Sequence, residues 1–304
     1  MVTRNRSEFI EPAIRSVLDQ SYKNFEFLIV DDGSTDKTPE ILKKWEGSDN
    51  RIKVLSRPQS FGLPSGLNLA ASQARGQIYA RMDDDDISLP ERFEKQLKFL
   101  EDHPDIIAMG TAIRVIDEDG VDLNEYYPPQ VHEEIDAGLL IGHGGALVNP
   151  SIMIRKDAFN EVNGYNEKYL KVQDLDIYLR LAEIGRLANL SEVLVLCRTD
   201  SRRADRASEE AYKKVHSYLT EIVEAAYKRR KLEGTPRIDL PKVATRHQLL
   251  WNLCVGAYSV GNYRAAYKHL TRALKLDPTS LQKWWMFLKV LSRLLPSELK
   301  SSKA

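Results

Sequence analysis

The 304-residue chain has few cysteines, no long apolar run and no net charge. Cys197 and Cys254 provide neither a disulfide framework nor the spacing of a metal site. Because the sequence shows neither a signal-peptide pattern nor an apolar run of transmembrane length, we expect a cytoplasmic protein. No Ser-His-Asp or Cys-His arrangement indicates a covalent nucleophile, so catalysis through a covalent enzyme intermediate is not expected.

Acidic side chains, by contrast, are concentrated in two short segments, Asp31–Asp36 and Asp83–Asp86. The first follows the strand-like run Phe25–Val30, which is apolar enough to be buried. Its Gly-Ser-Thr breaks the strand, and the following residues supply caps for a helix expected from about Pro39 to Trp45.

The second acidic segment has the same setting. It follows the strand-like run Gln77–Met82, and Pro90 begins the next helix. We therefore expect both segments to emerge together at the carboxyl edge of a parallel sheet, where open α/β folds bind ligands. Four adjacent carboxylates repel one another, and a divalent cation, Mn²⁺ or Mg²⁺, would remove that repulsion. Either segment alone is also explained as a solvated loop, but their joint placement favours a site.

Further motifs follow in order, and together they resemble a family 2 glycosyltransferase of the GT-A fold. The resemblance covers about the first two hundred residues and rests on Ala13–Tyr22, Glu26–Asp36, Ala74–Gly76, Met82–Arg92, Pro150–Arg155, Asn163–Tyr165 and Gln173–Leu181. It implies an α/β fold with a Rossmann-like mixed sheet flanked by helices. It is specific to the family and not to a substrate.

The resemblance also implies roles for particular positions. Asp31 and Asp32 match the acidic pair near the nucleotide base and ribose, and Thr3 approaches the base from the end of the first strand. Asp83 and Asp85 match the outer residues of the DXD-type motif. Asp85 would be the direct metal ligand, and Asp83 would face the metal, the ribose or the donor sugar.

Asp84 lies between these two residues and is assigned to the donor side. Asp174 matches the catalytic base, which removes a proton from the acceptor hydroxyl as that hydroxyl attacks the anomeric carbon. A carboxylate base must stay ionised, and the helix expected to begin at Asp174 favours negative charge at its amino end. The leaving nucleotide diphosphate gains negative charge that the metal can neutralise.

Two positions depart from the family pattern. Gln173 precedes the base where many members have Glu, which removes a neighbouring charge. No His follows Arg198, where members often carry a metal or phosphate contact. Arg198, Arg202 and Arg203 instead offer guanidinium groups for the diphosphate, with a solvated basic loop as the alternative.

Only Met1 and Val2 precede Thr3, whereas a GT-A domain has a complete apolar strand there. We expect a truncated first strand and, in any longer form of the chain, a short Val- or Ile-rich strand before Met1. Such a strand is normally central, so its loss would expose apolar surface and backbone groups that need partners.

The rest of the sequence predicts helices. We expect a GT-A domain over residues 1–205 and a helical region over 206–304. Residues at about 247–278 have the apolar spacing of one tetratricopeptide-like helix pair. Because one copy does not form a stable solenoid, we expect a helical hairpin packed on the catalytic domain, with a peptide-binding groove as the alternative.

Charge in the second half indicates an anionic partner. Residues 1–200 carry 23 Lys or Arg and 35 Asp or Glu, whereas residues 201–304 carry 21 and 9. The segment Trp284–Leu295 is apolar with interspersed cations, which is typical of a helix at an anionic membrane surface. The alternatives are attraction between the two halves and a terminal helix that closes the hairpin.

The sequence thus predicts an inverting, metal-dependent glycosyltransferase for cell-envelope polysaccharide biosynthesis. The expected donor is a nucleotide-diphospho-sugar, UDP-linked, and the expected acceptor is a hydroxyl of a glycan or lipid-linked molecule. The Gln-x-x-Arg-Trp motif of processive synthases is absent, so single additions are expected. We expect a cytoplasmic location, either free or peripheral at the inner face of the cell membrane, and no nucleic-acid partner.

Two other functions remain as alternatives. A non-catalytic nucleotide-sugar-binding or protein-interaction module is compatible with the short first strand, although Asp85 and Asp174 argue against it. A sugar-phosphate nucleotidyltransferase should have a glycine-rich phosphate loop after its first strand, and Thr3–Ser7 contains no glycine.

Overall fold

The structure is a computed structural model that describes residues 1–199, 209–239 and 246–294. The described residues form two compact units. The first unit comprises residues 1–113, 127–197 and 213–239, and the second comprises residues 114–126, 198–199, 209–212 and 246–294. The boundary expected at residues 205 and 206 lies outside the described residues.

The secondary structure alternates strands and helices up to residue 198 and is helical afterwards. The strands are β1 (Val2–Thr3), β2 (Phe27–Asp31), β3 (Ile52–Ser56), β4 (Ile78–Ala80), β5 (Ile87–Ser88), β6 (Ile106–Ile116), β7 (Asp122–Tyr126), β8 (Met153–Arg155) and β9 (Arg186–Arg198). The α-helices are α1 (Ile10–Leu18), α2 (Thr38–Glu46), α3 (Leu63–Gln73), α4 (Arg92–Asp102), α5 (His132–Leu140), α6 (Lys156–Glu161), α7 (Gln173–Leu181), α8 (Glu209–Arg230), α9 (Arg246–Ser259), α10 (Tyr263–Leu276) and α11 (Leu281–Leu294).

A parallel sheet of β1, β2 and β3 begins the first unit. Strand β2 is buried along its whole length because its apolar run is covered on both faces, which is typical of a parallel strand. In the pairing of β1 with β2, Thr3 lies opposite Asp31. The ends of these strands therefore bring the first acidic segment beside the segment that follows Thr3.

A second sheet has the strand order β4-β8-β6-β9-β5, and β7 pairs with β6 outside this path. Strand β4 runs antiparallel to β8, with Tyr79 opposite Ile154. The two acidic segments therefore follow strands of different sheets, and not neighbouring strands of one parallel sheet as expected. The mixed α/β class is as expected, with the strands divided between a parallel and a mostly antiparallel sheet.

A cavity of about 650 Å³ in the first unit is lined by residues of β2 and β4, among them Leu28 and Tyr79. The amino group of Met1 is buried at this cavity and donates to the Leu28 carbonyl over 2.9 Å. Burial lowers the pKa of this amino group to about 5. Strand β1 has two residues, and a fuller strand before it stays a prediction.

The long helix α8 packs in the core of the first unit from residue 213 onward. Its buried residues Leu219, Ile222 and Val223 belong to the same apolar cluster as Leu175 and Leu179 of α7. The packing of α8 against these residues therefore supports the first turns of α7. Residues 213–239 of the predicted helical region therefore stabilise the unit that carries the acidic segments.

In the second unit, α9 and α10 pack against each other. The small residues Cys254, Ala266 and Ala273, whose spacing predicted close approach of two helices, are fully buried. Helix α11 packs on the pair through Val290, which is fully buried in the same cluster. Whether the pair is a tetratricopeptide unit stays a prediction.

A buried ion-pair cluster holds α10 to the turn that follows β6. The fully buried Asp117 carboxylate accepts from Lys268 at 2.7 Å and from the ring of His269 at 3.1 Å. Arg272 pairs with Glu118. Asp117, Glu118 and His269 lie close enough to bind a cation, but Lys268 and Arg272 already supply the opposite charge, so we interpret the cluster as structural.

We predict that Asp117→Asn lowers the free energy of unfolding of the second unit by about 2–4 kcal/mol, because it leaves buried donors without their charged partner. Urea unfolding followed by tryptophan fluorescence measures it. Asp119→Asn is the control, since the Asp119 side chain is 65% exposed and an exposed ion pair contributes about 0–1 kcal/mol. Equal losses in the two variants would contradict the structural role of Asp117.

The difference in unfolding free energy between Asp117→Asn and the unsubstituted protein should also depend on pH. Burial opposes ionisation of Asp117, but hydrogen bonds from His269 and Lys268 hold the pKa of its carboxyl well below the ordinary range. A depressed pKa stabilises the fold at every pH above the unfolded value, near 4. The difference between Asp117→Asn and the unsubstituted protein should therefore be constant from pH 7 to pH 5 and shrink below about pH 4.

Candidate active site

The first acidic segment anchors the loop that follows β1. The backbone N–H of Asn5 donates to the Ser34 hydroxyl at 3.0 Å, and that of Ser7 donates to Asp36 at 3.2 Å. Asp36 also accepts from the backbone of Thr38 at the start of α2. Although burial opposes it, these hydrogen bonds lower the pKa of Asp36 to about 2. The segment thus fixes the backbone of the β1 loop.

Asp31 and Asp32 are both buried, and each accepts hydrogen bonds from loop groups. Asp31 accepts from the backbone N–H of Ser34 at 3.0 Å. Asp32 accepts from the Ser60 hydroxyl at 2.6 Å and from the backbone N–H of Phe61 at 3.0 Å. The Asp32 carboxylate therefore holds the loop that follows β3.

That loop adds residues that the sequence analysis did not find. Arg57 donates to Asp32 at 3.2 Å and stacks on the ring of Phe61, whose side chain is half exposed. Although burial opposes it, hydrogen bonds from Ser60, Phe61, Gly62 and Arg57 lower the pKa of Asp32. The available signal was position, because this loop follows the third strand of the same parallel sheet.

Asp84 and Asp85 share one arginine as counter-ion. Arg6, from the β1 loop, lies 3.4 Å from an oxygen of each carboxylate. Burial raises the pKa of Asp84 to about 6, and Arg6 partly offsets this effect. Asp84 and Asp85, which follow β4, are thus brought beside Arg6 of the β1 loop, although β1 and β4 belong to different sheets. The buried Thr3 lies at the end of β1, opposite Asp31.

Asp83 is paired with a different arginine. Arg81, at the end of β4, donates to Asp83 Oδ1 at 3.2 Å from Nε and 3.0 Å from Nη2. The Arg81 side chain is 5% exposed, whereas that of Asp83 is 33% exposed. The Asp83 carboxylate is therefore partly exposed to solvent, whereas the Arg81 guanidinium that pairs with it is buried.

Asp174 lies in the first turn of α7, as the sequence predicts. Its carboxylate accepts from the side-chain amide of Asn149 at 3.1 Å and from the backbone N–H of Leu175 at 2.9 Å. Burial raises the pKa of Asp174, and the nearby Arg81 guanidinium opposes this rise. Val172, just before the helix, has a left-handed backbone with φ of 55°, which is unfavourable for a β-branched residue.

Arg198 belongs to the second unit. Its guanidinium donates to the backbone carbonyls of Asp117 and Glu118 at 2.9 and 3.1 Å. These hydrogen bonds support the turn that follows β6, and a contact of Arg198 with a nucleotide stays a prediction. Arg202 and Arg203 lie outside the described residues.

The site therefore has two clusters in the first unit. One joins Asp84 and Asp85 through Arg6, and the other joins Asp83 and Asp174 through Arg81 and Asn149. The arginines and Asn149 were missed by the sequence analysis. Arg6 and Arg81 stand beside predicted site residues, and Asn149 directly precedes the Pro150–Arg155 motif, so closeness to motifs was the only signal.

The acidic segment is chemically suited to a hard divalent cation. Asp84 and Asp85 are buried carboxylates beside Arg6, and carboxylate oxygens are the ligands that Mg²⁺ and Mn²⁺ prefer. Among the described residues, Asp83–Asp86 do not bring three ligand atoms within 4.8 Å of one another. A cation here would therefore need additional oxygens, and diphosphate oxygens are the usual supplement in such sites.

Comparison with known proteins identifies the family. Residues 1–162 match the family described as glycosyl transferase family 2. The chain is 35% identical over 208 residues to the putative glycosyltransferase EpsE of Bacillus subtilis. The aligned region covers 67% of this chain and 73% of EpsE. The chain is also 31% identical over 212 residues to the O-antigen biosynthesis glycosyltransferase WbnJ of Escherichia coli. This aligned region covers 68% of this chain and 81% of WbnJ.

Solved structures agree with the fold. The crystal structure of residues 1–349 of S. aureus TarS in complex with UDP-GlcNAc superposes with a TM-score of 0.60 at 17% identity, covering 96% of this chain and 78% of that TarS chain. Within the described residues, no helix is long and apolar enough to cross a membrane. With a family match over more than half its length, the chain belongs to glycosyl transferase family 2 and is a glycosyltransferase with the GT-A fold.

Proposed function

We propose that the protein transfers a sugar with inversion from a nucleotide-diphosphate donor, a UDP-sugar, to an acceptor hydroxyl by a single displacement. The observation that carries this proposal is the Asp174 carboxylate, which is joined through Asn149 and Arg81 to the donor-side residue Asp83. A base and a donor site must be close for in-line attack on the anomeric carbon. This link gives the two groups one rigid framework.

Asp85, with Asp83, would hold a divalent cation, Mn²⁺ or Mg²⁺, together with oxygens of the diphosphate. Such an ion neutralises charge on the departing diphosphate. Thr3, Asp31, Asp32 and Asp84 would border the nucleotide. Arg6 would remain beside the phosphates as a second positive charge, because its backbone is held by Thr38. TarS, whose fold this chain shares, has a complex with UDP-GlcNAc, which supports UDP as the first nucleotide to test.

We predict that UDP binds only with Mn²⁺ or Mg²⁺ present and that Asp85→Ala weakens this binding at least tenfold, because the direct ligand is lost. Titration calorimetry of the full chain with UDP, with and without Mn²⁺, measures it. Asp157→Ala is the control, since Asp157 is exposed on α6 in the same unit. Equal UDP affinity with and without metal would exclude the metal-assisted mechanism.

Asp174 would act as the general base. Burial raises its pKa, which makes the carboxylate a better proton acceptor, while Arg81 opposes that rise and keeps it ionised. The amino end of α7 adds a favourable dipole for the same negative charge. The carboxylate would take the proton of the acceptor hydroxyl while the glycosidic bond to the diphosphate breaks.

We predict that Asp174→Asn lowers the transfer rate by about 10²–10⁴-fold while UDP affinity stays within twofold of the unsubstituted value, because the amide cannot accept the proton. Release of UDP in the presence of donor and acceptor, beside calorimetric titration with UDP, measures the two quantities. A full transfer rate in Asp174→Asn would disprove the base assignment.

For the acceptor, we propose a hydroxyl of a glycan or lipid-linked saccharide, with one sugar added per encounter. The similarity to WbnJ, an O-antigen biosynthesis glycosyltransferase, supports a saccharide acceptor. A lipid-linked acceptor would place the protein, at least transiently, at the inner face of the cell membrane.

Helix α11 supports an anionic membrane surface as a partner. Leu281, Trp284, Trp285 and Leu288 lie at positions i, i+3, i+4 and i+7, and their exposed fractions are 84%, 46%, 56% and 65%. The opposite side packs through Val290. These four exposed residues form one apolar stripe, which we call the α11 stripe.

Cations border the α11 stripe. The Lys289 ammonium lies 3.5 Å from the centre of the Trp285 ring, and Arg293 follows one turn later. Tryptophan at the level of lipid headgroups with lysine or arginine beside it is typical of helices that bind anionic membrane surfaces.

We predict that the full chain floats with vesicles of phosphatidylglycerol and phosphatidylcholine, and that combined substitution of Trp284, Trp285 and Leu288 by Ser lowers the bound fraction at least fivefold, because apolar insertion is lost. Leu232→Ser, at an exposed leucine of the first unit, is the control. Equal flotation with pure phosphatidylcholine would contradict the electrostatic part, and an unchanged bound fraction in the triple variant would disprove the surface.

A further inference from the structure

The side chain of Asn149 lies between Asp174 and Arg81, and every polar atom of its amide has a partner. Its oxygen accepts from the Tyr178 hydroxyl at 2.8 Å and also from Arg81 Nη1. Its nitrogen donates to Asp174 Oδ2 at 3.1 Å. Asn149 begins the 3₁₀ turn Asn149–Ser151, so its backbone is fixed as well.

The two partners of the amide oxygen determine which way the amide points. Arg81 and Tyr178 are almost completely buried, and both present hydrogens to Asn149. A flipped amide would set its NH₂ group against these donors and its oxygen against the Asp174 carboxylate, leaving buried groups unpaired. The nitrogen must therefore face Asp174.

The consequence for Asp174 is a fixed orientation. One carboxylate oxygen accepts from Asn149 and the other from the backbone N–H of Leu175. Hydrogen bonds of this kind favour the ionised carboxylate. They also restrict rotation of the carboxylate. A general base needs this restriction so that its free lone pair points at the acceptor hydroxyl.

We propose that Asn149 is the positioning residue of the base: anchored by Arg81 and Tyr178, its amide orients the Asp174 carboxylate and couples it to the donor-side residue Asp83. This inference rests on the proposed function. It assigns Asn149 a role through Asp174, without contact to substrate. Arg81 extends the same framework by holding Asp83.

Asn149→Asp tests this role while keeping the shape of the side chain. The new carboxylate still accepts from Arg81 and Tyr178, but it cannot donate to Asp174 and adds a negative charge beside it. The groups that face Asp174 are otherwise unchanged, namely Arg81 and Asp83 after β4, Tyr165 after α6 and Tyr178 on α7. Asn149→Ala removes the anchor and the donor together.

The measurement is the titration of Asp174 in the full chain labelled with ¹³C at aspartate Cγ, with the signal assigned through Asp174→Asn. We expect the titration midpoint to rise in Asn149→Asp and Asn149→Ala, since both lose the donor to the ionised form. We expect kcat to fall about 10–100-fold in both variants, with UDP affinity within twofold of the unsubstituted value. Asn160→Ala, at an exposed asparagine of α6, should change neither quantity.

An unchanged midpoint and an unchanged kcat in Asn149→Asp would overturn the positioning role. If Asp174→Asn is inactive when this happens, the base assignment survives and only the role of Asn149 fails. If Asp174→Asn itself transfers sugar at the full rate, the base assignment fails and the positioning role fails with it. Thermal unfolding of each variant separates a loss of positioning from a loss of folded protein.

Discussion

The carboxylates of the second acidic segment need nearby positive charge, and Arg6 and Arg81 contribute to it. Arg6 lies between Asp84 and Asp85, and Arg81 supports Asp83 from within the protein. An isolated buried carboxylate would take up a proton or destabilise the fold, so each must be paired or hydrogen-bonded. This requirement explains why the loop after β1 and the segment after β4 converge although their strands lie in separate sheets.

The run of acids after β2 holds the loops around it by hydrogen bonds. Asp31 and Asp36 accept from backbone N–H groups, and Asp32 holds the loop after β3 with four hydrogen bonds. The acids after β4 are instead paired with side-chain cations, and Asp174 is held by an amide and a backbone N–H. The first group is thus held mainly by loop backbone and hydroxyl groups, whereas Asp83, Asp84 and Asp85 are held by arginine side chains.

In the second unit, ion pairs account for part of the charge asymmetry. Lys268 and Arg272 are matched by Asp117 and Glu118, and Lys283 donates to its own unit at Asp277 over 2.6 Å. Lys268, Arg272 and Lys283 therefore hold the described part of this unit together. Near the α11 stripe, Lys289 covers one tryptophan ring.

The sequence by itself determined the α/β class, the family and the residues at which α7 begins, because apolar periodicity, caps and motif spacing are local properties. Helix α2 was expected at about Pro39 and begins at Thr38. Only the tertiary structure decided which charges meet. Arg6 and Asp85 are far apart in the chain, and Asn149 is an ordinary polar residue until the fold sets it between Arg81 and Asp174. Contacts between residues so far apart in the chain depend on how sheets and loops pack, and a local sequence pattern does not predict them.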